Sequence, residues 1–114
     1  MVACAAYVPD TGHIVWLEFD PQAGREQAGH RPAMVLSPAN YNARTGLMVC
    51  CPMTTRIKGY PFEVPIQSAR DSAVLADQVR SLDWRARHAK YKGQASLEEL
   101  ASIKRKIAAL IGLP

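Results

Sequence analysis

Residues 13–37 read HIVWLEFDPQAGREQAGHRPAMVLS. Two short apolar runs, 13–19 and 33–37, flank a polar stretch, GREQAGHRP, at 24–32. Residues 13–19 are rich in β-branched and aromatic side chains, which fit a pleated, half-buried strand better than a helix. The stretch between them packs a carboxylate (Glu26), an amide (Gln27), an imidazole (His30) and a guanidinium (Arg31) among small residues and turn-formers. A solvated turn needs no such mixture, whereas a ligand-facing loop does.

Outward from this stretch, strands are expected over 47–51, 62–66 and 73–79, with turn clusters at 38–46, 58–61 and 67–72. Strands this short and this closely spaced predict a small, strongly curved antiparallel sheet or barrel. Pro65 removes a ladder donor, so its strand should lie at an edge or a bulge. Residues 81–92 are ambiguous. The carboxy-terminal pattern is clearer. Ser96 with Glu99 makes a capping box, and Leu97, Leu100, Ile103, Ile107, Leu110 and Ile111 recur at helical spacing until Gly112 and Pro114 end the run. Lys104, Arg105 and Lys106 occupy the opposite face. The expected fold is therefore α+β, mainly β, with a carboxy-terminal amphipathic helix on the sheet; core packing is the default use of its apolar stripe, a dimer contact the other.

At 114 residues the chain is expected to form one domain, 1–114, around one hydrophobic core. Its 48% hydrophobic and 21% charged content is that of a globular protein rather than a disordered one. No apolar run is long enough to span a bilayer, and the first ten residues do not read as a signal peptide, so no membrane association and a cytoplasmic location are expected. Three cysteines argue against a disulfide framework; Cys50 and Cys51, adjacent on a strand, would face opposite sides and suit the core. The net charge of +4 is uneven, with −1 over residues 1–77 and +5 over 78–114. Such a basic portion suits a polyanion or an acidic protein partner.

The chemistry open to this chain is narrow. His13, His30 and His88 do not stand at metal-ligand spacing, and the acids are scattered, so no metal site is expected. No phosphate-binding glycine motif or nucleophile elbow is present, so no cofactor is expected either. What remains is Arg31 with His30 and Glu26 in one loop, and Thr54 and Thr55 in a second. Cleavage of RNA without metal needs little more, because the substrate supplies its own 2′-hydroxyl nucleophile. A guanidinium fork matches phosphate oxygens, a threonine hydroxyl adds a donor, and Arg56 and Lys58 would attract the backbone.

The run through Tyr7-Val-Pro-Asp10, Asp20-Pro21, residues 26–33 (EQAGHRPA), Val35-Leu-Ser-Pro38, Tyr41-Asn42, Thr45-Gly46, Thr54-Thr55 and residues 58–64 (KGYPFEV) resembles the MazF/PemK toxins of bacterial toxin–antitoxin modules. Residues 75–79 (LADQV), Trp84 to Arg87 and the closing helix extend the resemblance over nearly the whole chain. It implies an SH3-like barrel shared with the CcdB gyrase poisons, and a homodimer that cuts single-stranded mRNA at a short sequence without metal. The ends would be a 2′,3′-cyclic phosphate and a 5′-hydroxyl. It further implies a cognate antitoxin whose acidic carboxy-terminal tail covers the RNA site, and operator DNA as a partner only through the antitoxin complex.

By position, the resemblance gives Arg31 the role of catalytic arginine and Thr54 that of the threonine at the scissile phosphate. Glu26 falls on an acidic position near that site and His30 precedes the arginine, while Lys58, Gln78 and Arg80 fall where RNA is held. On chemistry alone Arg31 is a poor general base and suits stabilising the phosphorane. Proton transfer is left open between His30 and Glu26. The alternatives are a gyrase poison, which would be expected to end in Trp-Gly-Ile where this chain ends Leu113-Pro114, and a nucleic-acid-binding regulator without catalysis.

Overall fold

The computed structural model of the protein describes residues 7–18, 30–69 and 71–114. Within them, strands β1 (His13–Glu18), β2 (His30–Val35), β3 (Leu47–Thr54), β4 (Glu63–Pro65), β5 (Ala73–Leu75), β6 (Arg80–Asp83) and β7 (Lys90–Gln94) form a curved antiparallel sheet. Helix α1 (Ala39–Thr45) precedes β3, and α2 (Leu97–Leu110) closes the fold. The strand order is β4-β5-β3-β2-β1-β7, with β6 also paired to β3. Pro65 accordingly lies in an edge strand, as its missing N–H requires.

Strand β3 holds the sheet together. One of its edges pairs with β2 and the other is divided: Leu47 to Cys50 pair with β6, and Met53 and Thr54 pair with β5. The backbone of Val49 bonds towards β2, through its C=O to the Leu36 N–H (2.8 Å) and its N–H to the Ser37 Oγ (2.8 Å). By alternation, Pro52 faces the divided edge, at the step where β6 has ended and β5 has not begun. No donor is stranded there because proline has none.

Consecutive residues of these strands enter two separate cores, as period-2 alternation demands. Ile14, Met34, Cys51, Met53, Val64 and Val74 pack with Ile103 of α2 on one side. Val15, Leu17, Ala33, Val35, Met48 and Cys50 pack with Trp84 on the other. Cys50 and Cys51 are both buried free thiols, one in each core. Burial pushes them up to about 11 and about 12 respectively, so both stay protonated and inert near neutrality.

Several segments depart from expectation. Strand β2 begins at His30, so His30, Arg31 and Pro32 lie on a strand rather than in a loop; β3 runs past 51 to Thr54; and β5 ends at Leu75 rather than at 79. Residues 38–46, read as a turn, contain α1, which ends at Gly46 in the left-handed conformation (φ 75°). Its first N–H, from Ala39, bonds the Asp10 carboxylate at 2.9 Å, so the capping acceptor lies far away in the sequence. Its Asn42 is fully buried and donates to the carbonyls of Pro9 (2.8 Å) and Ser37 (3.0 Å) while accepting from the Ser37 hydroxyl (2.6 Å). The Trp84 indole N–H bonds the Asn42 carbonyl at 2.9 Å, tying the second core to this helix. The ambiguous residues 81–92 supply most of β6, a turn and the start of β7.

The capping box of α2 is present, Ser96 Oγ accepting from the Glu99 N–H at 3.0 Å and the Glu99 carboxylate from the Ser96 N–H at 2.9 Å. Its apolar stripe divides. Ile103 is buried and Ile107 packs against the first core, whereas Leu97 is 85% exposed and Ile111 62%.

Candidate active site

Arg31 and Thr54 owe their relation to the end of the β2–β3 ladder. The last pair is Ala33 with Pro52. The next two steps would set Pro32 against Met53 and Arg31 against Thr54. The Leu36 N–H points to β3, so by alternation the nitrogen of Pro32 points there too. It carries no hydrogen, the Met53 carbonyl gains no donor from it, and the ladder stops. Beyond that point Met53 and Thr54 remain paired with β5 on the other edge of β3. The parting strands leave a cleft of about 400 Å³ lined by Arg31, Pro32, Met53, Thr54, Thr55 and Arg56.

The hydroxyl oxygen of Thr54 accepts the Arg56 N–H at 3.0 Å, which fixes the turn after β3 and leaves the hydroxyl proton as a donor to the cleft. Thr54 and Arg56 also line a second recess, of about 180 Å³, with Lys58, Tyr60, Glu63, Leu75 and Gln78. The two cavities therefore form one trough with three cationic side chains along it: Arg31, Arg56 and Lys58. This surface can bind and polarise a phosphodiester.

Glu63, only 8% exposed, organises the recess. Its carboxylate accepts the Lys58 N–H at 3.1 and 3.0 Å and the Gly59 N–H at 2.7 Å. Gly59 has φ 81°, a conformation that suits glycine and turns the loop back over Glu63. Tyr60 is anchored by its hydroxyl, which donates to Asp77 at 3.2 Å.

The structure thus brings Arg31, Thr54 and Arg56 to one cleft and Lys58 and Gln78 to its extension. Arg80 is in the lining of neither cavity; it is the exposed first residue of β6, opposite Cys50. His30 lies one residue from Arg31 and so on the other face of β2. Its Nε2 is 3.9 Å from Glu18, which also holds the His88 Nδ1 at 2.8 Å. The hydrogen bond from His88 holds the Glu18 carboxyl below its ordinary value. Glu26 lies outside the described residues. Two contributors are not visible from residue chemistry: Pro32, which acts through a hydrogen it lacks, and Glu63, whose partners are backbone groups.

The sequence matches the family described as PemK-like, MazF-like toxin of type II toxin-antitoxin system over residues 10–111. It is 58% identical over 107 residues to the endoribonuclease toxin MazF of Escherichia coli K12, covering 93% of this chain and 96% of that protein. The fold superposes on the MazE–MazF crystal structure (Form-III) from Deinococcus radiodurans with a TM-score of 0.88 and 52% identity, covering 95% of this chain and 100% of that one. The MazF crystal structure (Form-I) from the same organism gives 0.83 and 55%, covering 95% and 100%.

Proposed function

The chain belongs to the PemK-like, MazF-like toxin family of type II toxin–antitoxin systems, and from that premise we propose that it is an endoribonuclease that cleaves single-stranded mRNA in the cytoplasm and so halts growth. The observation that carries this reading is the cleft lined by both Arg31 and Thr54, beside the recess that Arg56 and Lys58 line.

In the proposed reaction the ribose 2′-hydroxyl attacks the adjacent phosphorus and the 5′-oxygen of the next nucleotide leaves. The products are a 2′,3′-cyclic phosphate and a 5′-hydroxyl, and no metal takes part. Arg31 presents its forked N–H donors to the non-bridging oxygens, whose charge grows in the phosphorane, and the Thr54 hydroxyl adds a third donor. Arg56, Lys58, Gln78 and Arg80 hold the flanking RNA. Proton transfer belongs to Glu26 or His30. The placement of His30 on the opposite face of β2, beside Glu18, favours Glu26.

The same trough suits an antitoxin's acidic carboxy-terminal tail, since both ligands are anionic chains. The exposed apolar residues at the two ends of α2 support a homodimer. Contact with operator DNA would come only through the antitoxin complex.

The test is direct. Purified protein with a long unstructured RNA in EDTA should give discrete 5′-hydroxyl ends, and replacing the target 2′-hydroxyl by hydrogen should abolish them. Absence of cutting would sink the ribonuclease reading; cutting at the deoxy position would refute the transesterification.

A further inference from the structure

We propose that the recess beside Thr54 is a base-reading pocket, in which Glu63 and Gln78 select a nucleobase that carries an exocyclic amino group. The inference rests on the ribonuclease reading and deepens it. About 180 Å³ is on the scale of one heterocyclic base and too little for a length of chain. The recess shares Thr54 and Arg56 with the cleft, so a base entering it belongs to a nucleotide next to the phosphate held there.

The lining has the chemistry of a base site rather than a phosphate site. Leu75 and the Tyr60 ring give apolar surface for the faces of a heterocycle, and the Tyr60 hydroxyl is fixed to Asp77 at 3.2 Å. Glu63 is a carboxylate in a trough that otherwise favours anions, and a phosphate would be repelled by it. Its two oxygens take three backbone contacts, from the N–H groups of Lys58 and Gly59, and only one contact falls on Oε2. Acceptor capacity is left there, in a carboxylate that those contacts hold in place. An ionised carboxylate accepts and does not donate, so it selects for the amino groups of adenine, cytosine or guanine. Uracil offers one N–H between two carbonyl oxygens and is disfavoured. Gln78 is held in its turn by its own N–H to the Leu75 carbonyl, at 3.1 Å, and brings both a donor and an acceptor to the same recess. Lys58 and Arg56 at its rim are left for the flanking phosphates.

The experiment compares the parent, Gln78→Ala and Glu63→Gln on a pool of RNAs randomised around the cut, with every 5′ end mapped. The parent should exclude uridine at one position next to the cut. Both variants should relax discrimination at that position by about tenfold or more and leave the other positions unchanged. If both depress cutting uniformly with every positional preference intact, these residues only bind the backbone and the proposal is overturned. Tolerance of uridine at every position by the parent overturns it as well. If Glu63→Gln does not fold, Gln78→Ala alone decides by the same two outcomes. A parent that cuts no RNA in the pool refutes the ribonuclease reading itself, a result distinct from a parent that cuts without this preference.

Discussion

Arg31 and Thr54 stand two residues beyond Ala33 and Pro52, the last paired residues of β2 and β3, in register with one another but with no ladder between them. The separation is the useful part. A continuous ladder would bring the strands to roughly 5 Å and fill the space a phosphate must occupy. Interrupted, it leaves a guanidinium and a hydroxyl lining one cleft.

Arg31→Ala should lower kcat/KM on an unstructured RNA by about 10²- to 10³-fold, the usual effect of removing a preorganised donor from a developing oxyanion. Arg31→Lys should recover only part of this, because an ammonium keeps the charge and loses the fork. Thr54→Ala should cost about tenfold and Thr54→Ser less. Initial rates with circular dichroism as a fold control test the set; full activity in Arg31→Ala would move the site elsewhere.

Pro32→Ala should restore an N–H aimed at β3 and let the ladder run one pair further. Thermal stability should hold or rise by about 1 kcal/mol, the net worth of one more hydrogen bond. Cutting should fall as the cleft narrows. An active Pro32→Ala protein with unchanged kinetics would show that the cleft is held open by something other than the missing donor.

Stability should fall steeply in alkali. Burial raises Tyr7 from 10.0 to about 12, Cys50 from 9.0 to about 11 and Cys51 from 9.0 to about 12. The unfolded chain therefore releases these protons first, so the stability they confer is intact below about pH 9 and is lost as pH rises towards 12. Denaturant midpoints between pH 8 and 11 should decline through this window. Alkylation mapped by mass spectrometry at pH 8 should spare Cys50 and Cys51 until denaturant is added.

Asn42→Leu should destabilise by about 3 kcal/mol or more, since it leaves two buried carbonyls and the Ser37 hydroxyl without their partner. Ile103→Ala should cost about 2–5 kcal/mol through the cavity left under α2. Urea titration measures both. The Asn42 variant should lose more than an exposed-site control such as Asn40→Ala.

The elements legible in the sequence are those whose own residues carry the signal. Residues 13–19 showed β1 by composition, and Ser96 with Glu99 marked the start of α2 by a local cap. Helix α1 was hidden because its cap is Asp10 and its polar Asn42 points inward, both tertiary facts. Strands β6 and β7 contain no fully buried residue, so no alternation exists to read. The strand expected over 47–51 runs on to Thr54, since Pro52 is tolerated where neither β5 nor β6 needs a donor. In the site, charged and hydroxyl side chains announced themselves by type. Pro32 and Glu63 did not, since one works by a missing hydrogen and the other by gripping a backbone.

The division of β3 has a dynamic consequence. The β4–β5 hairpin, which supplies Glu63 and Leu75, is joined to β3 by two residue pairs, Met53 with Val74 and Thr54 with Ala73. Arg31 belongs to the larger part of the sheet on the other side of that joint. Any occupant of the trough thus bridges two portions of one sheet whose opening free energies need not be equal. Binding should slow amide exchange at residues 63–75 well beyond those it touches, since hinging the hairpin away would first require the occupant to let go.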